Sequence, residues 1–237
     1  MIDSNTEHIM ERVGAVIVAA GKSERMGGVE KIFAPISGKP LLAYAIEAFQ
    51  QSPIIDSIVI VLAKDKVNAG LDFAKKYHWS KVVSVCAGGA RRQDSVSKGL
   101  NRLGKVDWVL IHDGARPCVT QDIIERGLEE ARESGAAIPA MPVADTIKIV
   151  SSDSYVKDTP PRDKLWAVQT PQVFRFDIIS EAHRKAKDNV TDDASIVENL
   201  GHKVKVFRGS YTNIKVTTPE DLIIAEAIIK ATKQRGH

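Results

Sequence analysis

The chain of 237 residues has only two cysteines, Cys86 and Cys118, and they stand at no metal-ligand spacing. Its six histidines form neither an HxH nor an HExxH cluster, which argues against a zinc centre. No apolar run is long enough to span a bilayer, and the polar, partly acidic residues 1–12 lack the apolar core of a signal peptide. Charge of one sign is also missing. The formal net charge is +3 with the cations scattered rather than striped, which argues against a nucleic-acid surface and permits a small anionic substrate. These absences describe a reduced, cytoplasmic chain, frayed over residues 1–12, that engages neither nucleic acid nor membrane. What is there in quantity is apolar residue, 43% of the chain, enough for one well-cored domain over 1–237.

Residues 13–20, VGAVIVAA, are an unbroken run of small and β-branched side chains, which predicts a strand buried on both faces of a parallel sheet. The run empties into a loop rich in glycine and cations that ends at Lys31. Backbone N–H groups and positive side chains at a strand's carboxyl end suit polyanionic phosphates. Two widespread phosphate loops do not fit. A Gly-Lys-Ser loop needs glycine five residues before Gly21, where Val16 stands. The dinucleotide fingerprint needs glycine where Ser23 stands, and this loop does not run straight into a helix. The remaining pattern, A-A-G-x-x-x-R-M-G-x-x-x-K, resembles the signature loop of sugar-phosphate nucleotidylyltransferases and implies a nucleoside triphosphate cradle.

Downstream, strand and helix patterns alternate. Pro40 suits a first helical position, with a helix over 41–49. Strands are predicted over 57–63, 81–86, 107–112 and 135–140, with helices over 65–77, from beyond Ser95 to about Leu103, and over 122–133 capped by Thr120. Three strands end in loops bearing glycine with Arg, Ser or Asp, so a doubly wound, mostly parallel Rossmann-like α/β sheet would bring them to one crevice. The alternation breaks over 141–173, with an excursion over 141–163. Segments 146–150 and 155–158 flank a polar turn and predict a hairpin, which is marginal in water unless it packs on something. This stretch is expected to be a protruding arm that joins a homodimer. A helix over 177–187, a short helix from Asp192 capped by Thr191, and strands over 203–207 and 213–217 follow. Thr218 caps a last helix, with Pro219 at its first position, running to about Lys230.

Seven segments in this order, AAGKSERMGGVEK, GGARRQDSV, HDGARP, PVADTIK, LWAVQTPQVF, TDDAS and NIKVTTPEDL, resemble the 2-C-methyl-D-erythritol 4-phosphate cytidylyltransferase family over about residues 13–229. The resemblance implies a nucleotide-diphospho-sugar transferase type of fold. It also implies transfer of CMP from CTP to a methylerythritol phosphate, releasing pyrophosphate, in non-mevalonate isoprenoid synthesis. On it, CTP is expected at Ala19, Ala20, Gly21, Ser23, Gly88, Gly89, Arg92, Ser95 and Gly114, with Gly88, Gly89 and Ser95 against the cytosine and Arg92 bracing their loop. The acceptor is expected at Arg116, Thr146, Thr170 and Thr191, with Arg162 and Lys215 on its attacking phosphate. Thr146 and Arg162 would come from the neighbouring subunit. Ser23, Glu30 and Gly114 depart from residues common in the family.

The residues suit that chemistry on their own terms. A phosphate monoester with a second pKa of about 6 is largely dianionic at neutral pH and needs no general base. Two polyanions must meet, so catalysis falls to positioning and fixed cations, here Arg25 and Lys31 on the loop. Asp113 at a strand end suits Mg²⁺ shared with triphosphate oxygens. Cys86 and Cys118 are expected to be inert, and His112 a packed strand residue. A sister enzyme acting on ribitol 5-phosphate would share all the triphosphate chemistry. A regulatory nucleotide-binding module would not need Arg25, Lys31, Asp113 and Lys215 together. Lys31→Ala or Arg25→Ala should cut turnover by about 10² or more while leaving thermal stability near the parent's. A variant within a few-fold of the parent in a pyrophosphate-release assay would remove that residue from the catalytic set.

Overall fold

The computed structural model describes residues 11–21, 31–186 and 190–235; of these, Lys31 and Arg235 are placed by backbone alone. The first strand, β1 (Val13–Ala19), is central, with parallel neighbours β4 (Ser57–Leu62) and β6 (Trp108–Asp113) on its two sides. The β-branched run is buried on both faces as its composition requires. Val13, Ala15 and Ile17 join one layer with Leu42, Ile46, Phe49 and Leu128, while Val16 joins the other with Val96, Leu100, Ile179 and Val197.

Between β1 and β4 come a short hairpin, β2 (Pro35–Ile36) and β3 (Lys39–Pro40), and helix α1 (Leu41–Gln51). Pro40 is the residue before the helix rather than its first turn, because it still closes the hairpin. Helix α2 (Val67–Lys76) leads to β5 (Val82–Ala87), which pairs in parallel with β4 at the sheet edge. Helix α3 (Arg92–Leu100) returns over β1. It packs tightly because Gly99 faces Val16, where a Cβ would come within 2.4 Å of Val16 Cγ1. After β6, helix α4 (Gln121–Ser134) is capped by Thr120, whose hydroxyl accepts from the Ile123 N–H, and ends at left-handed Gly135. It is followed by β7 (Ala136–Pro142).

The predicted arm is present. It leaves β7 and forms a two-stranded ribbon, β8 (Ile149–Val150) and β9 (Val156–Asp158), shorter than its sequence pattern suggested. Its apolar side chains lie in the open, Val150 at 58% and Tyr155 at 73% exposure. The chain comes back along β10 (Trp166–Val168) and β11 (Gln172–Arg175), two strands absent from the sequence reading. Both run antiparallel to β7, and β11 also pairs with β6, so they act as one strand broken at Gln169, Thr170 and the cis-bonded Pro171. A proline inside a run argues locally against a strand, and here the break falls where a ladder bond is missing.

Helices α5 (Phe176–Lys185) and α6 (Asp193–Glu198) cover the second layer, and β12 (Lys205–Arg208) adds in parallel to β7. The eight-stranded sheet runs β10-β7-β11-β6-β1-β4-β5, with β12 also on β7. Two boundaries differ from expectation. The cap of α6 is Asp192, whose carboxylate accepts from the Ser195 N–H, and not Thr191. Residues 213–217 alternate like a strand yet form none; the bond from the Val216 N–H to the Ala115 carbonyl at 2.8 Å docks them beside the turn after β6. Helix α7 (Pro219–Arg235) is longer than predicted. Thr218 and Asp221 cap it reciprocally: Asp221 accepts from the Thr218 N–H at 2.9 Å, and Thr218 Oγ1 accepts from the Asp221 N–H at 3.4 Å. Of the stretch expected to fray, Glu11 and Arg12 are held, Arg12 N–H by Asp107 Oδ2 at 2.7 Å and Glu11 by Arg132. Residues 1–10 lie outside the described set.

Candidate active site

The carboxyl ends of β1, β5 and β6 open on one cavity of about 530 Å³. Ala19, Ala20 and Gly21 come from β1, Gly89, Arg92 and Ser95 from the turn into α3, and Asp113 from β6, with Lys215 closing one side. Gly88 and Gly114 stand behind this wall and let its segments touch. A Cβ on Gly88 would lie 2.4 Å from Ala20 Cβ, and one on Gly114 would lie 2.9 Å from Ala19 Cβ. The turn itself is tied by Ser95 Oγ, which accepts from the Gly89 N–H at 3.0 Å, and by Lys98 Nζ, which donates to the Gly88 carbonyl at 2.8 Å. Arg91 and Asp94 pair at the helix start. Arg92, expected to brace this loop, instead turns inward to two carboxylates.

A second cavity, of about 460 Å³, adjoins the first. Arg116, Thr170, Thr191 and Lys215 line it, and Arg92, Asp113 and Lys215 line both, forming a common wall. Asp113 is 8% exposed and holds a cation on each oxygen, Arg92 Nε at 3.2 Å on Oδ1 and Lys215 Nζ at 2.7 Å on Oδ2. Burial alone would raise its pKa, but Arg92 and Lys215 more than offset this and hold the carboxyl well below the ordinary range. Arg116 is buried, donates to the carbonyls of Asn213 at 2.7 Å and Val168 at 3.4 Å, and keeps its Nε without a partner. Desolvation lowers its pKa, so an anion arriving in this cavity would relieve a costly buried cation.

The wall has a buried support. His112 is fully buried, its ring 5.0 Å from that of Phe49. The Thr170 hydroxyl lies 3.0 Å from Nδ1 and accepts from the Asp113 N–H at 3.0 Å, while Nε2 lies 3.1 Å from the Arg116 carbonyl. The carbonyl requires Nε2 to donate, and burial, which lowers the ring's pKa, favours the neutral form that accepts at Nδ1 from Thr170. It joins Asp113, Arg116 and Thr170 from below without reaching either cavity. Sequence could not show this, since the partners lie up to 58 residues away. Gln172, also missed, accepts from the N–H groups of Asp193 and Ala194 and donates to Asp192. Its position in the QTPQ segment was the available signal.

Two expected acceptor residues are not brought to their own chain's cavities. Thr146 and Arg162 are exposed on the arm, and Arg162 donates back to the Ala144 carbonyl at 2.8 Å. Ser23 and Arg25, with Glu30, lie outside the described residues, as does the side chain of Lys31, whose backbone begins a 3-10 turn over Lys31–Phe33. Burial pushes the Cys118 thiol up to about 12, which agrees with an inert cysteine. Among the described residues no three His, Cys, Asp or Glu gather as a metal cage.

The family model described as 2-C-methyl-D-erythritol 4-phosphate cytidylyltransferase matches residues 13–231. A relative of that name from Dehalococcoides mccartyi is 53% identical over 93% of this chain and 97% of its own length. Another, from Clostridium novyi, is 46% identical over 94% of this chain and 99% of its own. The crystal structure of 4-diphosphocytidyl-2C-methyl-D-erythritol synthase from Anaerococcus prevotii superposes with a TM-score of 0.81 at 33% identity, covering 93% of this chain and 96% of that one.

Burial lowers the His112 pKa to about 4 from 6.5, so the unfolded chain binds the extra proton first as pH falls. The stabilisation from the neutral ring is complete above pH 6.5 and is lost as pH drops toward 4, by up to about 3 kcal/mol at roughly 1.4 kcal/mol per unit. The loss of melting temperature between pH 7 and pH 5 should therefore shrink in His112→Gln, measured by thermal denaturation. Equal losses in parent and variant would contradict it.

Proposed function

The chain belongs to the 2-C-methyl-D-erythritol 4-phosphate cytidylyltransferase family, and from that premise we propose how its own residues carry the reaction. The enzyme transfers CMP from CTP to 2-C-methyl-D-erythritol 4-phosphate, giving 4-diphosphocytidyl-2-C-methyl-D-erythritol and pyrophosphate in isoprenoid precursor synthesis. The relatives described above carry the methylerythritol acceptor in their names, which sets ribitol phosphate and a non-catalytic module aside.

The observation that carries the assignment is the common wall. CTP takes the cavity at the ends of β1 and β5, its base against Gly89 and Ser95 and its phosphates over Ala20 and Gly21. The methylerythritol phosphate takes the second cavity, where Arg116, the Thr170 and Thr191 side chains and Lys215 supply charge and donors for an anion and its hydroxyls. A phosphate oxygen of the acceptor attacks the α-phosphorus of CTP. The new P–O bond forms as the bond to the β-phosphate oxygen breaks, and both electrons leave with pyrophosphate. Lys215 stands at the boundary that this oxygen must cross, so its charge is aimed where negative charge accumulates. Arg25 and Lys31 serve the same charge from the loop. No proton need be moved, since the attacking dianion carries none.

Mg²⁺ fits Asp113 on this reading. A small hard cation bound through one carboxylate takes its other ligands from phosphates and water, and each Asp113 oxygen has a lone pair beyond the one given to Arg92 or Lys215. Bound there, it would neutralise triphosphate charge. Asp113→Asn should then need much higher Mg²⁺ for its residual activity. An unchanged Mg²⁺ dependence in pyrophosphate release would remove Asp113 from the metal site.

The arm makes the enzyme a homodimer on the same reading. Ile147, Ile149, Val150, Tyr155 and Val156 are exposed on it, and Trp166 and Val168 continue the apolar surface at its root. Two copies about a two-fold axis would bury these faces and bring Thr146 and Arg162 to the partner's acceptor cavity. Arg162→Ala and Lys31→Ala should each be nearly inactive alone, yet regain activity when mixed with subunit exchange, approaching half per heterodimer. No recovery under verified exchange, or a monomer at assay concentration in sedimentation, would refute the shared site.

A further inference from the structure

Behind the common wall lies a run of alternating charge that the transfer itself leaves unused. Arg92 spans two carboxylates, donating from Nε to Asp113 at 3.2 Å and from Nη1 to Asp193 Oδ2 at 2.6 Å. Asp193 has no exposed surface, and its other oxygen meets His183 Nε2 at 3.2 Å. The His183 side chain is itself 4% exposed, on α5. Neither Asp193 nor His183 lines either of the two cavities. A carboxylate so deeply placed is tolerable only with charge and hydrogen bonds on both oxygens, and it has them. Burial would raise its pKa, but Arg92 and His183 together bring it below the ordinary value.

The geometry constrains Arg92 more than one ion pair could. A guanidinium is planar, so two carboxylates on different edges fix both its position and its plane. The anchor is rigid as well, because Gln172 Oε1 accepts from the Asp193 and Ala194 N–H groups at 3.1 and 3.0 Å. Without Asp193, Arg92 could close on both oxygens of Asp113 and displace Lys215. We propose that Asp193 and His183 are positioning residues for cytidylyl transfer. Asp193, completed by His183, aims Arg92 so that it takes one oxygen of Asp113 and leaves the other to Lys215. This rests on the reading of Arg92, Asp113 and Lys215 as the wall between nucleotide and acceptor.

The test is a cycle of variants in the full chain, assayed by pyrophosphate release with CTP, Mg²⁺ and the methylerythritol phosphate. Asp193→Asn keeps the shape and should lower kcat about tenfold or more, the scale of a small misplacement of a reacting group. In an Arg92→Gln background the same change should cost nothing further in kcat, because the residue it aims is gone. An equal loss in both backgrounds would overturn the positioning role and leave the wall intact. Arg92→Gln at parental turnover would overturn the wall itself. His183 gives an independent arm should Asp193→Asn fold poorly. His183→Gln retains a donor and should stay within about threefold of the parent, whereas His183→Leu should lose about tenfold in kcat at similar KM for CTP. Equal turnover in the two His183 variants would overturn the proposal.

Discussion

The site depends on one carboxylate kept charged in a place where charge is expensive. Asp113 ends a fully buried strand, and the main chain there is fixed by β1 and β11 on either side. Burial opposes its ionisation; the two cations that reverse this come from α3 and from the segment before α7. The ion pairs therefore organise tertiary structure as well as electrostatics, since Arg92 and Lys215 are more than a hundred residues apart and share one anion.

Seen from that carboxylate, the two cavities are halves of one device. Glycines let the first cavity close up at Gly88 and Gly114, while the second is held by the broken strand of Thr170 and by Gln172. Anion follows cation across the interior, from Lys215 through Asp113 and Arg92 to Asp193. Positive charge is only partly compensated at Arg116, whose buried Nε has no partner and whose pKa desolvation lowers.

Much of this was legible in sequence because it is local. The run at 13–20, the glycines after each strand and the Thr-Pro start of α7 announce themselves within a few residues. What escaped is non-local or finely balanced. A strand containing Thr170 and Pro171 looks like a loop until β6 and β7 supply its partners. Residues 213–217 alternate like a strand, yet what holds them is a bond to the Ala115 carbonyl rather than a ladder. Thr191 and Asp192 are both good caps, and one residue of register decides between them. His183 carries no local signal, because what matters is Asp193 ten residues on in a different helix.

The root of the arm has a property of its own. Trp166, Ala167 and Val168 pair with Pro142, Met141 and Ala140, and the Val143 N–H donates to the Leu165 carbonyl just beyond. The two sides of the arm are thus zipped together before the ribbon begins. The register that places Thr170 beside Asp113 is set below that zip, so a change in the length of the ribbon beyond it need not move Thr170 from Asp113. The zip is thus a joint: it isolates the geometry around Asp113 from whatever the ribbon does further out.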